Sequence, residues 1–224
     1  MSEVFWVDFH THDSAVPNAV VPDAVIRIIS TPLDKVDRIT THPGIRCTLE
    51  LHPWQGEKFS DMFAQTAADD NFIGIGEVGL DRLRGKLPLA EQIEVLTAAI
   101  ELAEQLQKPL TIHCVKCFSE LLALRKKLRW QVPTVIHYFR GNLKLAQQLF
   151  SQSNFILSLP PGASDEIWDF LRTNRQYLCR IVLETDTPDG DIKNHYLHAA
   201  EKLALPAEDL QKSMFEQYLR IYHG

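Results

Sequence analysis

Cysteine is scarce in this chain: four residues, at positions 47, 114, 117 and 179, in a sequence of 224. So few and so scattered, they cannot form the disulfide framework of a small secreted domain, and a reducing compartment suits them better. Long apolar runs are also missing, since none approaches the roughly 20 residues that span a bilayer. The opening residues Met1–Asp8 carry neither the basic nor the apolar region of a signal peptide, so the expected location is the cytoplasm, with no membrane partner. There is no positive excess: 23 Lys and Arg stand against 29 Asp and Glu, a formal balance of −6. That gives no sign of a broad surface which coats nucleic acid, but a bound cation or a local basic patch reverses the field at one site, so charge alone leaves the partner open. Linkers, low-complexity stretches and fixed-period repeats are absent, so residues 1–224 read as one domain. Nothing in the pattern sets the oligomeric state.

What the chain does have is apolar residues, 45% of the total, distributed in short runs. Eight of these read as strands: Val4–Asp8, Val25–Ser30, Ile45–Leu51, Phe72–Val78, Leu110–His113, Thr134–His137, Phe155–Leu159 and Ile181–Thr185. Amphipathic stretches fall between most of them: Leu33–Thr40, Asp61–Ala68, Leu89–Leu106, Phe118–Leu128, Leu143–Ser151, Asp165–Leu171 and His195–Ala204. Nearly continuous apolar strands alternating with helices are the mark of a parallel sheet covered on both faces. About eight such units predict an α/β fold of the (β/α)8 TIM-barrel type. The first connection, Asp13–Ala24, holds Pro17 and Pro22 and is too short and broken for a full covering helix, so the first βα unit is trimmed. An extra helix, Ala207–Tyr222, closes the C-terminal end.

Potential metal ligands collect at the ends of these strands. His10 and His12 follow the first, Glu77 ends the fourth, His113 the fifth and His137 the sixth, and Asp186 follows the eighth. A (β/α)8 barrel brings all C-terminal strand ends to one face, where such proteins place their chemistry. The spacing of His10 and His12 points both imidazoles to one side of a strand, as chelation requires. Any one of these histidines alone reads as an ordinary core or loop residue, but four of them with two carboxylates read as a metal centre. Imidazoles and carboxylates without paired thiolates suit Zn²⁺ or Mn²⁺, or Mg²⁺ where carboxylates and waters dominate.

The sequence resembles the TatD family of metal-dependent hydrolases, within the amidohydrolase-like barrels, over nearly its full length. The segments that carry the resemblance are Asp8-Phe9-His10-Thr11-His12, Leu51-His52-Pro53, Gly74-Ile75-Gly76-Glu77-Val78-Gly79-Leu80-Asp81, Ile112-His113, His137-Tyr138-Phe139-Arg140-Gly141 and Leu183-Glu184-Thr185-Asp186-Thr187-Pro188. The resemblance implies two divalent ions, with Glu77 serving both, His10, His12 and Asp186 holding one, and His113 and His137 the other. It also implies metal-dependent DNase activity, often 3′→5′ exonuclease action on single-stranded DNA, with Asp186 and Glu77 as catalytic carboxylates. Three features depart from the family pattern. Lys116 stands near the place of a missing arginine after the fifth strand, Arg140 replaces a serine, and Met214–Gln217 lacks an asparagine found in the C-terminal helix.

Around these ligands, Arg140, Lys116 and His52 are the expected substrate-binding groups, Arg140 foremost because it lies inside the His137 motif. Arg82 and Arg84 belong to the same rim and read as solvated charge. Trp54 reads as loop packing ahead of base stacking, and Asp81 as a structural group that hydrogen-bonds the loop or a ligating histidine. Glu184 reads equally as an orienting partner for a histidine and as an internal carboxylate. Cys114 and Cys117 form a lone C-x-x-C and read as reduced bystanders. The expected reaction is attack of an activated water on phosphorus. Two alternatives keep the same ligands: hydrolysis of an amide, ester, lactone or D-aminoacyl-tRNA, and metal binding without catalysis.

Overall fold

The computed structural model describes residues 4–12, 24–38 and 42–223. All eight strands lie in one sheet in chain order: β1 (Trp6–His12), β2 (Val25–Pro32), β3 (Ile45–Leu51), β4 (Phe72–Asp81), β5 (Leu110–Val115), β6 (Thr134–Ile136), β7 (Phe155–Leu159) and β8 (Ile181–Leu183). The pairings of β3 with β4, β4 with β5, β5 with β6 and β7 with β8 are parallel. Helices intervene: α1 (Asp61–Ala67), α2 (Leu89–Leu106), α3 (Phe118–Leu128), α4 (Leu143–Phe150), α5 (Asp165–Thr173), α6 (Ile192–Leu203) and the added C-terminal α7 (Ala207–Tyr222). This is the (β/α)8 barrel topology that the alternation predicts. The segment expected to be a trimmed first helix lies almost wholly outside the described residues.

Three of these helices begin where the sequence supplies an acceptor. Ser60, Asn142 and Asp191 accept the backbone N–H of Phe63, Leu145 and Asn194, opening α1, α4 and α6. Along α2, Leu96, Ala99, Ile100 and Ala103 recur at helical spacing and are buried, so the stripe is core. Burial of each large apolar side chain contributes about 1.5–3 kcal/mol. Two segments differ from the sequence reading. Leu33–Arg38 is a 3-10 helix, and a second 3-10 helix, Arg175–Arg180, follows α5 where no apolar period marks it.

By their contacts the described residues form two compact units. One holds residues 4–12, 24–29, 42–46 and 138–223, and the other 30–38 and 47–137. In the first, Phe155, Trp168 and Tyr196 are fully or almost fully buried, and the Tyr196 hydroxyl donates to the Val7 carbonyl at 2.9 Å. In the second, Phe63, Ile75 and Leu80 are fully buried, and the Trp130 indole N–H donates to Thr134 Oγ1 at 2.8 Å. The six expected metal ligands fall three to each unit.

Candidate metal centre

The second unit builds its site on a seam between β4 and β5. Three glycines of β4 face alternate carbonyl groups, that of Pro109 just before β5 and those of Thr111 and His113 within it. A Cβ at Gly74 would lie 3.0 Å from the Pro109 oxygen, one at Gly76 2.4 Å from that of Thr111, and one at Gly79 1.9 Å from that of His113. Side chains there would force the strands apart. The spacing from Gly74 to Gly76 is two residues, but from Gly76 to Gly79 it is three. The register explains the extra one: Ile75 pairs with Leu110 but Val78 with Ile112, so β4 bulges by one residue around Gly76 and Glu77. The bulge leaves Glu77 buried beside β5.

Glu77 is held from several sides. Its backbone N–H donates to Ser30 Oγ at 2.9 Å, and the Ser30 hydroxyl donates to Glu50 at 2.7 Å. Gln55 Nε2 completes the line by donating to the other Glu50 oxygen at 2.7 Å. Three imidazoles meet a single oxygen of Glu77, Oε1: His113 Nδ1 at 2.6 Å, His52 Nε2 at 3.1 Å and His137 Nε2 at 3.5 Å. His52, Glu77 and His113 each place a possible ligand atom within 4.8 Å of the others.

The hydrogen bonds distinguish these imidazoles. His113 lies between two carboxylates, with Nδ1 2.6 Å from Glu77 Oε1 and Nε2 3.0 Å from Asp81 Oδ2. A neutral ring has one proton for the two contacts, so one nitrogen meets a carboxylate as a lone pair unless a second proton or a cation stands there. Burial draws the His113 pKa down, but its bonds to Glu77 and Asp81 outweigh this and raise it. In His52 the partner fixes the tautomer. Its Nδ1 accepts the Trp54 amide N–H at 3.1 Å, so neutral His52 carries its proton on Nε2 and donates it to Glu77. Bonded so, it orients the carboxylate and offers no lone pair to an ion. Asp81 is itself tied down. Burial alone would raise its pKa, yet bonds from Trp54, His113 and the amides of Arg84 and Leu83 hold it at about 2.

In the first unit His10 and His12 lie on β1 itself, and Asp186 lies three residues beyond β8. His10 Nε2 and His12 Nε2 are 3.4 Å apart, and Asp186 Oδ1 stands 3.7 and 3.4 Å from them. The Asp186 amide N–H donates to the His10 carbonyl at 3.1 Å, with the residue in the left-handed region at φ 60°, where Asp is tolerated. Asp8 supports this corner by accepting the Thr185 amide at 2.9 Å and its hydroxyl at 2.6 Å. Burial pushes the Asp8 carboxyl up to about 7 against those two bonds, with the nearby Glu184 charge adding to the rise. Glu184 accepts the Tyr138 amide N–H at 2.5 Å, which makes it an internal carboxylate bonded to backbone.

The expected substrate groups divide. Arg140 is exposed. Its guanidinium lies 4.8 Å from the centre of the Tyr138 ring and donates to the Tyr138 hydroxyl and the Pro161 carbonyl. Lys116 is exposed, while Arg82 beside it is engaged by Glu120 and by the Lys116 carbonyl. His52 lies instead against Glu77. Cys114 and Cys117 are free thiols whose pKa values are raised by burial, which keeps them protonated and unreactive. The sequence reading offered Asp81 as a hydrogen-bonding group for the loop or for a histidine, and it serves both: Oδ1 accepts the amides of Leu83 and Arg84, and Oδ2 lies 3.0 Å from His113 Nε2.

A model of the TatD related DNase family matches residues 13–221. The chain is 29% identical over 167 residues to the 3′-5′ ssDNA/RNA exonuclease TatD of Klebsiella pneumoniae, an alignment covering 69% of this chain and 62% of that protein. It therefore spans under two thirds of that relative's length. Among solved structures, the TatD homologue YJJV of Escherichia coli K12 superposes with TM-score 0.79 at 21% identity, over 98% of each chain. A TatD family hydrolase from Entamoeba histolytica gives 0.78 at 15%, over 99% of each. At such identities these likenesses speak for the barrel fold alone.

Proposed function

Because the chain belongs to the TatD related DNase family, we propose that it is a metal-dependent phosphodiesterase, a nuclease acting on single-stranded nucleic acid from the 3′ end. The observation that carries this reading is the 2.6 Å approach of His113 Nδ1 to Glu77 Oε1 while Asp81 holds the far side of the ring. A carboxylate, an imidazole and an outer acidic partner are what a hard or borderline divalent ion needs. The residues fit the ion. Glu77, His113 and His137 would hold one, and His10, His12 and Asp186 a second, with Zn²⁺, Mn²⁺ and Mg²⁺ all compatible with the donors.

Divalent ions held there would supply a water whose pKa is lowered from about 15.7 towards about 7, and positive charge to offset that on phosphoryl oxygens. The chain's own groups do the rest. His52 keeps Glu77 oriented through its Nε2–H. Asp186, less confined than Glu77, accepts the proton of the attacking water. Arg140 in the first unit and Lys116 in the second are exposed cations, and each attracts phosphate against the net negative charge of the protein. A chain of this length with only four scattered cysteines fits a reducing, cytoplasmic setting.

The test is a metal-supplemented assay on single-stranded oligonucleotides, with metal content measured on the same samples. Mononucleotide release is expected, and Asp186→Ala should lower kcat by about 10²- to 10⁴-fold without unfolding the protein. Near-normal turnover by that variant would remove Asp186 from the mechanism. Ester hydrolysis without nucleotide release would replace phosphorus by a carbonyl carbon as the target.

A further inference from the structure

The rim of the Glu77 group carries a surface that the hydrolytic chemistry leaves unused. Trp54 is 39% exposed and Leu83 68% exposed, two of the few large apolar side chains among the described residues that face solvent. A single exposed tryptophan needs no explanation. This one, however, is fixed. Its indole N–H donates to Asp81 Oδ2 at 2.6 Å, and its ring meets His52 and His113 edge-on, with centroids 4.9 and 5.7 Å away. The Arg84 guanidinium lies 4.6 Å from the indole centre.

The loop after β4 is built to present these groups. Asp81 Oδ1 accepts the amides of Leu83 and Arg84 at 2.8 and 2.9 Å, and the Gly85 amide donates to the Asp81 carbonyl at 3.1 Å. One carboxylate thus orients His113 with one oxygen and shapes the rim with the other. A rigid indole beside a cation, continuous with two imidazoles of the site, suits a flat anionic polymer.

We propose that Trp54, Arg84 and Leu83 form a stacking platform for one unpaired nucleobase of the nucleic acid. The proposal rests on the phosphodiesterase reading above. Indole and guanidinium planes both stack on bases, and the arginine adds attraction for the adjacent phosphate. A base inside a duplex has no free face to offer, so the platform selects single strands and tolerates any sequence.

Two variants separate stacking from support of Asp81. Trp54→Phe and Trp54→Ala both lose the indole N–H, but only the second loses the ring. On a single-stranded oligothymidylate, kcat/KM of Trp54→Ala should fall about ten- to a hundredfold below that of Trp54→Phe. On an abasic strand of the same length the two variants should agree. An equal gap on both strands, or no gap on either, would overturn the platform. If the wild-type protein cleaves neither strand, the nuclease reading fails, and the platform is read by binding instead. With chelator present, fluorescence of a 2-aminopurine oligonucleotide should be quenched by wild-type protein and Trp54→Phe but not by Trp54→Ala. Absence of quenching by the wild-type protein would sink the platform whatever the activity.

Discussion

Around Glu77 the contacts run from 2.6 to 3.5 Å among buried side chains, whereas around Asp186 they run from 3.4 to 3.7 Å, and the side chains of His12 and Asp186 stay 39% and 30% exposed. The first group has a built surround: glycines that admit β5, a serine on the Glu77 amide, and an aspartate behind His113. The second hangs from a strand end and a loop in which Asp186 itself is left-handed, braced by Asp8. A confined carboxylate keeps its geometry through a reaction, while a partly open one exchanges protons with water. The division of labour we propose, with Glu77 as holder and Asp186 as proton acceptor, rests on that contrast.

The strongest way to break the comparison is to fill the seam. Gly79→Ala sets a methyl group 1.9 Å from the His113 carbonyl, and we expect a loss of about 3 kcal/mol or more, with metal uptake at Glu77 abolished. The counterpart in the other unit is Gly162→Ala. Its Cβ would meet nothing nearer than 3.7 Å, and at φ 81° the cost should stay at about 1–2 kcal/mol. Denaturant titrations giving equal losses would erase the distinction between a built and a loose surround.

Asp81 sharpens the same contrast through pH. Its folded pKa of about 2 lies below the ordinary 3.8, so its contribution is fully present above about pH 4 and disappears as pH falls towards 2. The shift corresponds to about 2 kcal/mol. Asp81→Asn should therefore lose about that much at pH 7, flatten the acid limb of stability, and weaken metal affinity about 10- to 100-fold. An unchanged acid limb in the variant would show that Asp81 is not the group responsible. The smallest effect belongs to Ser30. Ser30→Ala leaves the buried Glu77 amide without its acceptor, at about 1–2 kcal/mol, and Ser30→Thr should restore most of it. Equal stability of all three proteins in urea would remove Ser30 from the support of Glu77.

Much of the barrel was legible in the residues. The apolar runs gave the full extents of β3 and β7, and helical period gave those of α2, α3 and α7. Strands that carry chemistry were read short. β1 runs on to His12 and β4 to Asp81, because polar ligands interrupt the apolar run while the backbone ladder continues. In β6 and β8 the reverse holds, and pairing stops at Ile136 and Leu183 before the polar residues that follow. α6 starts at Ile192, ahead of the reading, because the Asp191 cap lies outside the periodic stretch. Within the site, residue types named the candidate groups, but only the fold shows which nitrogen of His52 faces Glu77. That depends on one backbone N–H from Trp54, which no pattern of side chains encodes.

The glycine seam also bears on how this scaffold can be re-engineered. Because β4 meets its neighbour through hydrogen atoms at three positions, that strand offers no room for grafted side chains. Altered specificity has to be written into the loops that follow β3 and β4, where length and composition can vary while the seam remains closed.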